Sequence, residues 1–344
     1  MRAPYRVGLI GLGNVGGALA RRLVDDADRI ADTSGRPIVL EAIAVAHRDG
    51  RSAPAPLVSA EALLKRPNLD AVIELMGGLE PAHTYIYTAL QSGRQVITAN
   101  KQLIAASGPE LCRLGPLRFE ASVASAIPIV ETLAETMASD RITSLVGILN
   151  GTTNSILEAM AQGASYADAL VDAQRRGLAE ADPSADVDAH DPAAKLAILA
   201  MLAFRRRIEP SQIERVGIGG LDQTELLGAR QRGFVVKLIA AATVSNGVSI
   251  EADVRPRLIP NDAPMARVAG AMNAIAVEAA HAGTLTLQGP GAGPDAAASA
   301  VLADLVRAAR DMPASAGALL ASLADQPAAR ITPLGLRTPY PAAT

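Results

Sequence analysis

A lysine and five carboxylates lie close together in residues 177–200, GLAEADPSADVDAHDPAAKLAILA. Asp191 followed by Pro192 is typical of an N-cap and a first helical residue, so we predict a helix over residues 192–204 with Lys195 in its first turn. The surrounding apolar residues predict that Lys195 is mostly buried. A lysine there opposes the positive end of the helix dipole, so it needs a carboxylate partner, a substrate carboxylate or a lowered pKa.

The carboxylates of this segment also have plainer explanations. Asp191 could serve only as a helix cap, although a cap can also contact a substrate. The four carboxylates before it could form a solvated loop; they are Glu180, Asp182, Asp186 and Asp188. A calcium loop is excluded, because the aspartates do not follow the 1, 3, 5 spacing and no glycine occupies the sixth position.

Glycines near the N-terminus predict a dinucleotide site. Residues 5–24, YRVGLIGLGNVGGALARRLV, read as a short apolar strand, a glycine turn and an amphipathic helix. Gly11, Gly13 and Gly16 fit the G-x-G-x-x-G pattern, with Asn14 and Val15 between the last two. The first two glycines allow a tight turn and close approach of a pyrophosphate, and the third allows close helix packing. A glycine-rich turn without a ligand is the alternative.

The end of the second strand, predicted at residues 38–46, bears on which nicotinamide cofactor would bind. A cofactor without a 2′-phosphate usually meets an acidic side chain at this position. Here the strand is followed by His47, Arg48 and Asp49, and Arg48 is well placed to receive a phosphate. We therefore expect NADP to be preferred, although Asp49 keeps NAD open and Arg48 could be a solvated cation.

Residues 70–105 alternate strand and helix, which predicts a parallel, doubly wound sheet. In such sheets the ligand lies at the carboxyl ends of the strands, where Gly77, Gly78, Asn100 and Lys101 fall. We therefore predict a Rossmann-like N-terminal domain in which these four residues contact the cofactor. A surface lysine at a strand end is the alternative for Lys101.

The pattern changes after residue 140 to that of a second, α+β domain. ITSLVGILNGTTNSILEAM predicts a strand that turns into a helix, and strands near residues 216–218 and 248–254 suggest an antiparallel or mixed sheet. A second glycine turn, GPGAG, includes Gly291 and precedes a helix predicted at residues 295–310. Its glycines would allow close backbone approach to a ligand or to the first domain. Beyond it we expect a short helix at residues 316–324 and then an extended tail.

These elements predict an α/β chain with three parts. Residues 1–130 would form the dinucleotide-binding domain, completed by a helix at about residues 290–311. Residues 131–289 would form the second domain, and residues 312–344 the tail. A length of 344 residues favours two domains over one.

Composition limits the classes of protein to which the chain could belong. A net charge of −3 argues against a general nucleic-acid backbone binder. The lone Cys112 excludes an internal disulfide framework, and the four scattered histidines give no zinc spacing. Since the sequence has neither a signal-peptide pattern nor an apolar run of membrane-spanning length, we expect a cytoplasmic protein.

Several segments together resemble homoserine dehydrogenase. They are GLIGLGNVGGALA, VIELMGGLEPA, VITANKQLIA, FEASVASAIPIVETL, GILNGTTNSIL, the stretch at residues 177–200, and GPGAGPDAAASAVLADL. They occur in the family's order over residues 5 to about 310, and the carboxylate–lysine stretch and TANK are the most specific. The resemblance implies NAD(P)-linked interconversion of L-homoserine and L-aspartate 4-semialdehyde, a step toward threonine and methionine.

The resemblance also implies roles for residues at matching positions. Four residues would contact the polar groups of the substrate: Glu180, Asp182, Gly151 and Thr152. Asp191 and Lys195 would lie at the reacting hydroxyl, with Lys101 facing it. Two lysines brought together would lower each other's pKa toward the range that a general base needs. Lys195 is the predicted acid–base group and Lys101 its close rival.

A monovalent cation and a homodimer are implied as well. Sodium or potassium would bind largely through backbone oxygens at Glu120, Val123, Ser125 and Ile127. The dimer would form through the sheet of the second domain. The resemblance is to the short form of the family, which lacks a C-terminal regulatory domain.

The chain departs from the family pattern at Ala124-Ser125-Ala126, Ser155, Ala189-His190 and Pro294 with Ala296 and Ala297. The changes at Ser155 and before Asp191 leave open a paralogous dehydrogenase that acts on another small amino or hydroxy acid. A non-catalytic nucleotide-binding descendant is a further alternative. Retention of both lysines, Glu180 and Asp191 argues against it, because a binding module has no need to bury that set.

Overall fold

The computed structural model describes residues 2–47, 52–245 and 249–335. Its strands are β1 Tyr5–Ile10, β2 Ile38–Ala44, β3 Leu57–Val58, β4 Ala71–Glu74, β5 Gln95–Thr98, β6 Leu117–Arg118, β7 Ile142–Ile148, β8 Glu214–Arg215, β9 Phe234–Ser245, β10 Ser249–Pro260, β11 Met272–Ala279, β12 Gly283–Pro290 and β13 Ile331–Thr332. Its helices are α1 Asn14–Asp25, α2 Ala27–Ser34, α3 Ala60–Leu64, α4 Ala82–Gln91, α5 Lys101–Cys112, α6 Gly151–Ala161, α7 Tyr166–Arg175, α8 Ser184–Val187, α9 His190–Phe204, α10 Gln223–Gln231, α11 Pro294–Ala309 and α12 Ser315–Ala321.

These elements form two units, each made of two chain segments. The first unit comprises Met1–Glu135 with Gly293–Gln326, and the second Thr136–Ala292 with Pro327–Thr344. No helix among the described residues is both long enough and apolar enough to cross a membrane.

The first unit is built on six parallel strands in the order β3-β2-β1-β4-β5-β6. Leu9, Ile43, Ile73 and Ile97 are completely buried within it. Such short, continuous apolar strands are typical of a parallel sheet covered by helices. The predicted doubly wound sheet is confirmed, with the second strand ending at Ala44 rather than at residue 46.

Helix α11 belongs to the same hydrophobic core as β1 and α1, although it lies far along the chain. Its residues Ala298, Val301 and Leu305 are fully buried. Alanine is frequent along this helix, and its small side chain lets neighbouring backbones approach closely. The alanine-rich composition is therefore a packing feature of this unit.

The short helix predicted after α11 is confirmed as α12, whereas the extended tail predicted beyond it contains the paired strand β13. Helix α12 packs against α5, where a Cβ added at Gly108 would lie 3.1 Å from Leu320 Cδ1. Leu320 and Leu323 are almost fully buried, and β13 then pairs in parallel with β10 of the second unit. The few leucines that anchor this segment were not recognised in the sequence, because alanine and proline dominate its composition.

The second unit contains a seven-stranded mixed sheet. Its order is β12-β11-β7-β9-β10-β13, with β8 beside β10. Strands β7, β9, β10, β11 and β12 pair in antiparallel fashion, whereas β8 and β13 run parallel to β10. The expected mixed sheet is confirmed, but the strand predicted at residues 216–218 is instead Glu214–Arg215. Gly217 follows it in a loop where an added Cβ would meet Val187 O at 2.3 Å.

Replacing Leu320 with alanine should lower the free energy of unfolding by about 2–4 kcal/mol, because a buried leucine leaves a cavity that the surrounding structure cannot fully close. Urea denaturation of the full chain measures this change. Leu79→Ala is the matched control, since Leu79 belongs to the same unit and is 51% exposed. Equal midpoints for the two variants would contradict the packing of α12.

Candidate functional site

The turn between β1 and α1 has the form required to hold a pyrophosphate. A Cβ added at Gly11 would lie 2.7 Å from the carbonyl carbon of Leu75, and a Cβ added at Gly16 would lie 2.1 Å from Gly11 O. At Gly13 it would meet nothing within 4 Å. Gly13 is the N-cap of α1 and no side chain caps this helix, so its first N–H groups and its positive dipole end remain available to an anion. Asn14, the first helical residue, is exposed, and Val15 is half-buried.

A cavity of about 630 Å³ extends from this turn past the end of β2 to the start of α3. Its volume lies within the range typical of small-molecule sites. The lining residues are Ile10, Gly11, Leu12, Gly13, Ala44, Val45, Ala46, His47, Ser59, Ala60, Glu61, Leu75, Met76, Pro81 and Tyr85. The glycine turn therefore opens on a space suited to an adenosine-sized group. Arg48, expected to bind a 2′-phosphate, lies outside the described residues, as does Asp49.

A buried carboxylate that the sequence did not reveal organises the ends of β4 and β5. Glu74 is fully buried, and its Oε1 accepts hydrogen bonds from the N–H groups of Met76 at 2.8 Å and Gly77 at 3.0 Å. Its Oε2 accepts a bond from the hydroxyl of Thr98 at 2.6 Å. Glu74 faces Thr98 across the β4–β5 ladder, so the parallel register brings them together.

Asn100 extends this network to the start of α5. Its Nδ2 donates to Gly78 O at 2.6 Å, and its Oδ1 accepts from Leu103 N at 3.1 Å as the N-cap. The two predicted glycines and Asn100 are therefore linked by hydrogen bonds within the first unit. Lys101, the first residue of α5, is half-buried and follows directly on this anchored asparagine.

In the second unit, Asp191 and Lys195 form a buried ion pair. Lys195 Nζ lies 2.8 Å from Asp191 Oδ2 and donates to Leu149 O at 2.8 Å. Each residue is 8% exposed. Lys195 is therefore buried, as expected, and it has a carboxylate partner in Asp191.

The local helix geometry differs from the prediction. α9 begins at His190, so Asp191 lies inside the helix and Lys195 lies in its second turn. The N-cap is Ala189, in a left-handed conformation with φ of 63°, and its side chain has no capping role. Inside the helix, the spacing of four residues places Asp191 and Lys195 on one face.

Asn150 connects this pair to a second carboxylate. Its Nδ2 donates to Asp186 Oδ1 at 2.6 Å and to Asp191 Oδ2 at 2.9 Å. Its Oδ1 accepts from Thr153 N at 2.9 Å, so Asn150 is also the N-cap of α6. One buried amide therefore orients two carboxylates and a helix start. The sequence prediction gave no role to Asn150 and offered a solvated loop as one alternative for Asp186, although the first asparagine of NGTTN was a usable signal.

The four predicted substrate contacts fall into two groups. Gly151 and Thr152 open α6 beside Asn150; an added Cβ at Gly151 would meet Ala271 O at 2.4 Å, and Thr152 Oγ1 donates to Leu178 O at 2.7 Å. The side chains of Glu180 and Asp182 are exposed. Hydrogen bonds from Ser184 lower the pKa of Asp182, so it is ionised at neutral pH.

A buried lysine on β9 secures the first turns of α6, and it too was missed. Lys237 Nζ donates to Asn154 Oδ1 at 2.8 Å and to Val268 O at 2.7 Å. Asn154 Nδ2 donates to Gly270 O at 2.8 Å. Burial lowers the pKa of Lys237. These bonds hold residues 268–271 against the helix start that carries Gly151.

The predicted cation segment contains an unusual turn. Ala124 and Ser125 have φ values of 52° and 47°, which side-chain-bearing residues adopt at a cost of about 1 kcal/mol each. Both carboxylate oxygens of buried Glu120 accept backbone N–H groups, from Val130 at 2.9 Å and Glu131 at 3.0 Å. Burial raises the pKa of Glu120. Val123 and Ile127 are buried.

The other side chains of the described ranges form no group of three or more histidine, cysteine, aspartate or glutamate residues able to hold a metal.

Gly291 lies directly over a buried amide. An added Cβ at Gly291 would overlap the side chain of Asn273, at 2.0 Å from its Cγ. Asn273 is fully buried, and neither its Nδ2 nor its Oδ1 has a hydrogen-bond partner within the described parts of the chain. The first glycine of GPGAG belongs to β12, so the predicted turn is shorter than the motif.

Sequence and structure comparisons identify related proteins. The homoserine dehydrogenase family matches residues 128–306, and the homoserine dehydrogenase NAD binding domain matches residues 11–115. Homoserine dehydrogenase of Mycobacterium tuberculosis is 42% identical over 321 residues, which are 90% of this chain and 73% of that protein.

Two solved structures have the same fold. A homoserine dehydrogenase from Thiobacillus denitrificans superposes with a TM-score of 0.88 at 37% identity, covering 96% of this chain and 80% of its own. A hyperthermophilic archaeal homoserine dehydrogenase in complex with NADPH gives a TM-score of 0.74 at 27% identity, covering 90% and 99% of the two chains. With a glycine turn shaped for a dinucleotide and these matches across both units, the chain belongs to the homoserine dehydrogenase family of oxidoreductases.

Proposed function

We propose that this oxidoreductase interconverts L-homoserine and L-aspartate 4-semialdehyde, with Lys195 as the acid–base group. The observation that carries the proposal is the buried Lys195–Asp191 pair, joined through Asn150 to the start of α6. Oxidation of an alcohol requires a base within hydrogen-bond reach of its hydroxyl. When bound, a nicotinamide dinucleotide supplies the acceptor for the hydride that leaves the carbon.

Lys195 is held so that its ammonium can exchange a proton with a substrate oxygen. Leu149 O and Asp191 Oδ2 lie 2.8 Å from Nζ, so the ammonium that would carry the exchangeable proton is fixed in place. In reduction, Nζ donates this proton to the carbonyl oxygen as it becomes a hydroxyl. In oxidation, the neutral amine takes the hydroxyl proton. Lys101, at the start of α5, is the rival for this role.

The start of α6 is suited to the carboxylate of the substrate. The hydroxyl of Thr152 is already bonded to Leu178 O, so we assign this contact to the backbone N–H groups of Gly151 and Thr152 at the positive end of the helix. Glu180 would bind the ammonium, and the charge of Asp182 would attract it. Exposure of both acids keeps them available to a soluble substrate.

The cofactor would be held by the first unit, with NADP preferred over NAD. The space around Gly13 and the ordered loop at Gly77, Gly78 and Asn100 support dinucleotide binding. Arg48 and the archaeal relative in complex with NADPH support the choice of NADP. Lys101 completes the proposed contacts of this unit, and Gly291 is proposed as a further contact.

We also propose a monovalent cation, sodium or potassium, at the turn formed by Glu120, Val123, Ser125 and Ile127. The left-handed backbone at Ser125 supports this assignment, because strained turns cluster at ligand sites. If the melting temperature of the protein is the same in potassium chloride and in choline chloride, that result would count against the proposed cation site.

A homodimer through the sheet of the second unit is proposed on the basis of two large apolar side chains on its strands. Leu258 on β10 is 46% exposed, and Leu285 on β12 is 39% exposed. Sedimentation velocity distinguishes a dimer from a monomer.

The decisive experiment is oxidation of NADPH and NADH by the purified chain with L-aspartate 4-semialdehyde. Rapid turnover supports the proposed reaction, and the ratio of the two rates tests the cofactor preference. Much faster oxidation of another small hydroxy acid than of homoserine would replace the proposed substrate, and cofactor binding without turnover on any semialdehyde would favour a non-catalytic protein.

Substituting Lys195 with methionine should lower kcat by about 100-fold to 10,000-fold, the usual contribution of a general acid–base group. Cofactor affinity, measured by the fluorescence of reduced nicotinamide, should stay within about twofold because Lys195 acts on the substrate oxygen. Lys65→Met, at an exposed lysine, is the matched control. A smaller loss in Lys195→Met than in Lys101→Met would transfer the acid–base role to Lys101.

A further inference from the structure

Among its described lining residues, the cavity of the first unit has no acidic side chain at the end of β2, where NAD sites usually have one. At the end of β2 it is lined by Ala44, Val45, Ala46 and His47. An acid at this strand end normally accepts a hydrogen bond from the 2′-hydroxyl of the adenosine ribose. Among the described lining residues, the one carboxylate is that of Glu61, which comes from the first turn of α3.

Two neighbours define the position of Glu61. Ser59 caps α3 by accepting a hydrogen bond from Ala62 N at 3.2 Å. Tyr85, which also lines the cavity, donates its hydroxyl hydrogen to Glu61 Oε1 at 3.1 Å. Hydrogen bonds from the backbone, Ser59 and Tyr85 lower the pKa of Glu61. The carboxylate is therefore ionised at neutral pH, and the hydroxyl of Tyr85, which lines the same cavity, holds it in place.

We propose that Glu61 is a specificity-determining residue of the dinucleotide cavity, where its carboxylate accepts a hydrogen bond from an adenosine ribose hydroxyl and repels a 2′-phosphate. This inference rests on the proposed function and refines its choice of cofactor. Glu61 would accept the ribose hydrogen bond that an acid at the β2 end usually accepts. Its negative charge weakens the proposed preference for NADP over NAD.

The proposed effect is mainly electrostatic. A 2′-phosphate brings close to two negative charges, whereas a ribose hydroxyl is a neutral donor. Because Glu61 is exposed, water and salt screen the repulsion, and we expect about a tenfold effect on affinity rather than a larger one. The hydrogen bond from the ribose hydroxyl to Glu61 favours NADH binding, so the loss of this bond lowers the affinity for NADH.

The test is the dissociation constant of NADPH and of NADH, measured by nicotinamide fluorescence with the full chain and without substrate. Glu61→Gln should tighten NADPH by about tenfold and leave NADH unchanged or up to about threefold weaker. Asp25→Asn is the matched control, because it removes one exposed negative charge from the same unit outside the cavity. The tightening of NADPH should shrink as sodium chloride is raised, as expected for a Coulombic effect.

Two results would overturn the proposal in different ways. A change in the NADPH-to-NADH ratio that is below twofold, or equal to that of Asp25→Asn, would remove the role of Glu61 while the proposed reaction stands. A wild-type chain that binds neither dinucleotide would overturn this role and the proposed function together.

Discussion

The buried amide of Asn150 is the contact on which the candidate substrate site depends. It donates to two carboxylates that would otherwise repel each other, and its oxygen caps the helix that begins at Gly151. Removing an ion from water costs several kcal/mol, so a buried charge must find donors or a counter-ion. Asn150 and Lys195 together supply both for Asp191. Asn150 therefore fixes the positions of the two aspartates and of the helix start relative to one another.

The local parts of the fold were predictable from sequence. The spacing of Gly11, Gly13 and Gly16 reflects contacts between residues a few positions apart, and the structure has the steric limits that the pattern requires. The approximate position of α9 and the burial of Lys195 also followed from local periodicity. Asp191 was wrongly predicted as the N-cap of this helix, because the N-cap is the left-handed Ala189, two residues earlier.

The residues that the sequence did not reveal depend on long-range contacts. Glu74 meets Thr98 only because β4 and β5 pair in one parallel register. Lys237 and Asn154 are distant in the chain and become partners when β9 and α6 fold together. Glu61 lies in a short helix with no motif, and only the cavity shows what it faces. Composition likewise concealed the packing of α12, since single buried leucines give no periodic signal.

The division of each unit into two chain segments has a consequence for synthesis on the ribosome. The first unit lacks Ala298, Val301 and Leu305 until α11 has been made, although its six strands precede residue 120. The sheet of the second unit is completed only by β13, after α12 has joined the first. The first unit is therefore incomplete until α11 has been made, and the sheet of the second is incomplete until β13 has been made. The nascent protein therefore exposes apolar strands for most of its synthesis, which is the period when chaperones protect such intermediates.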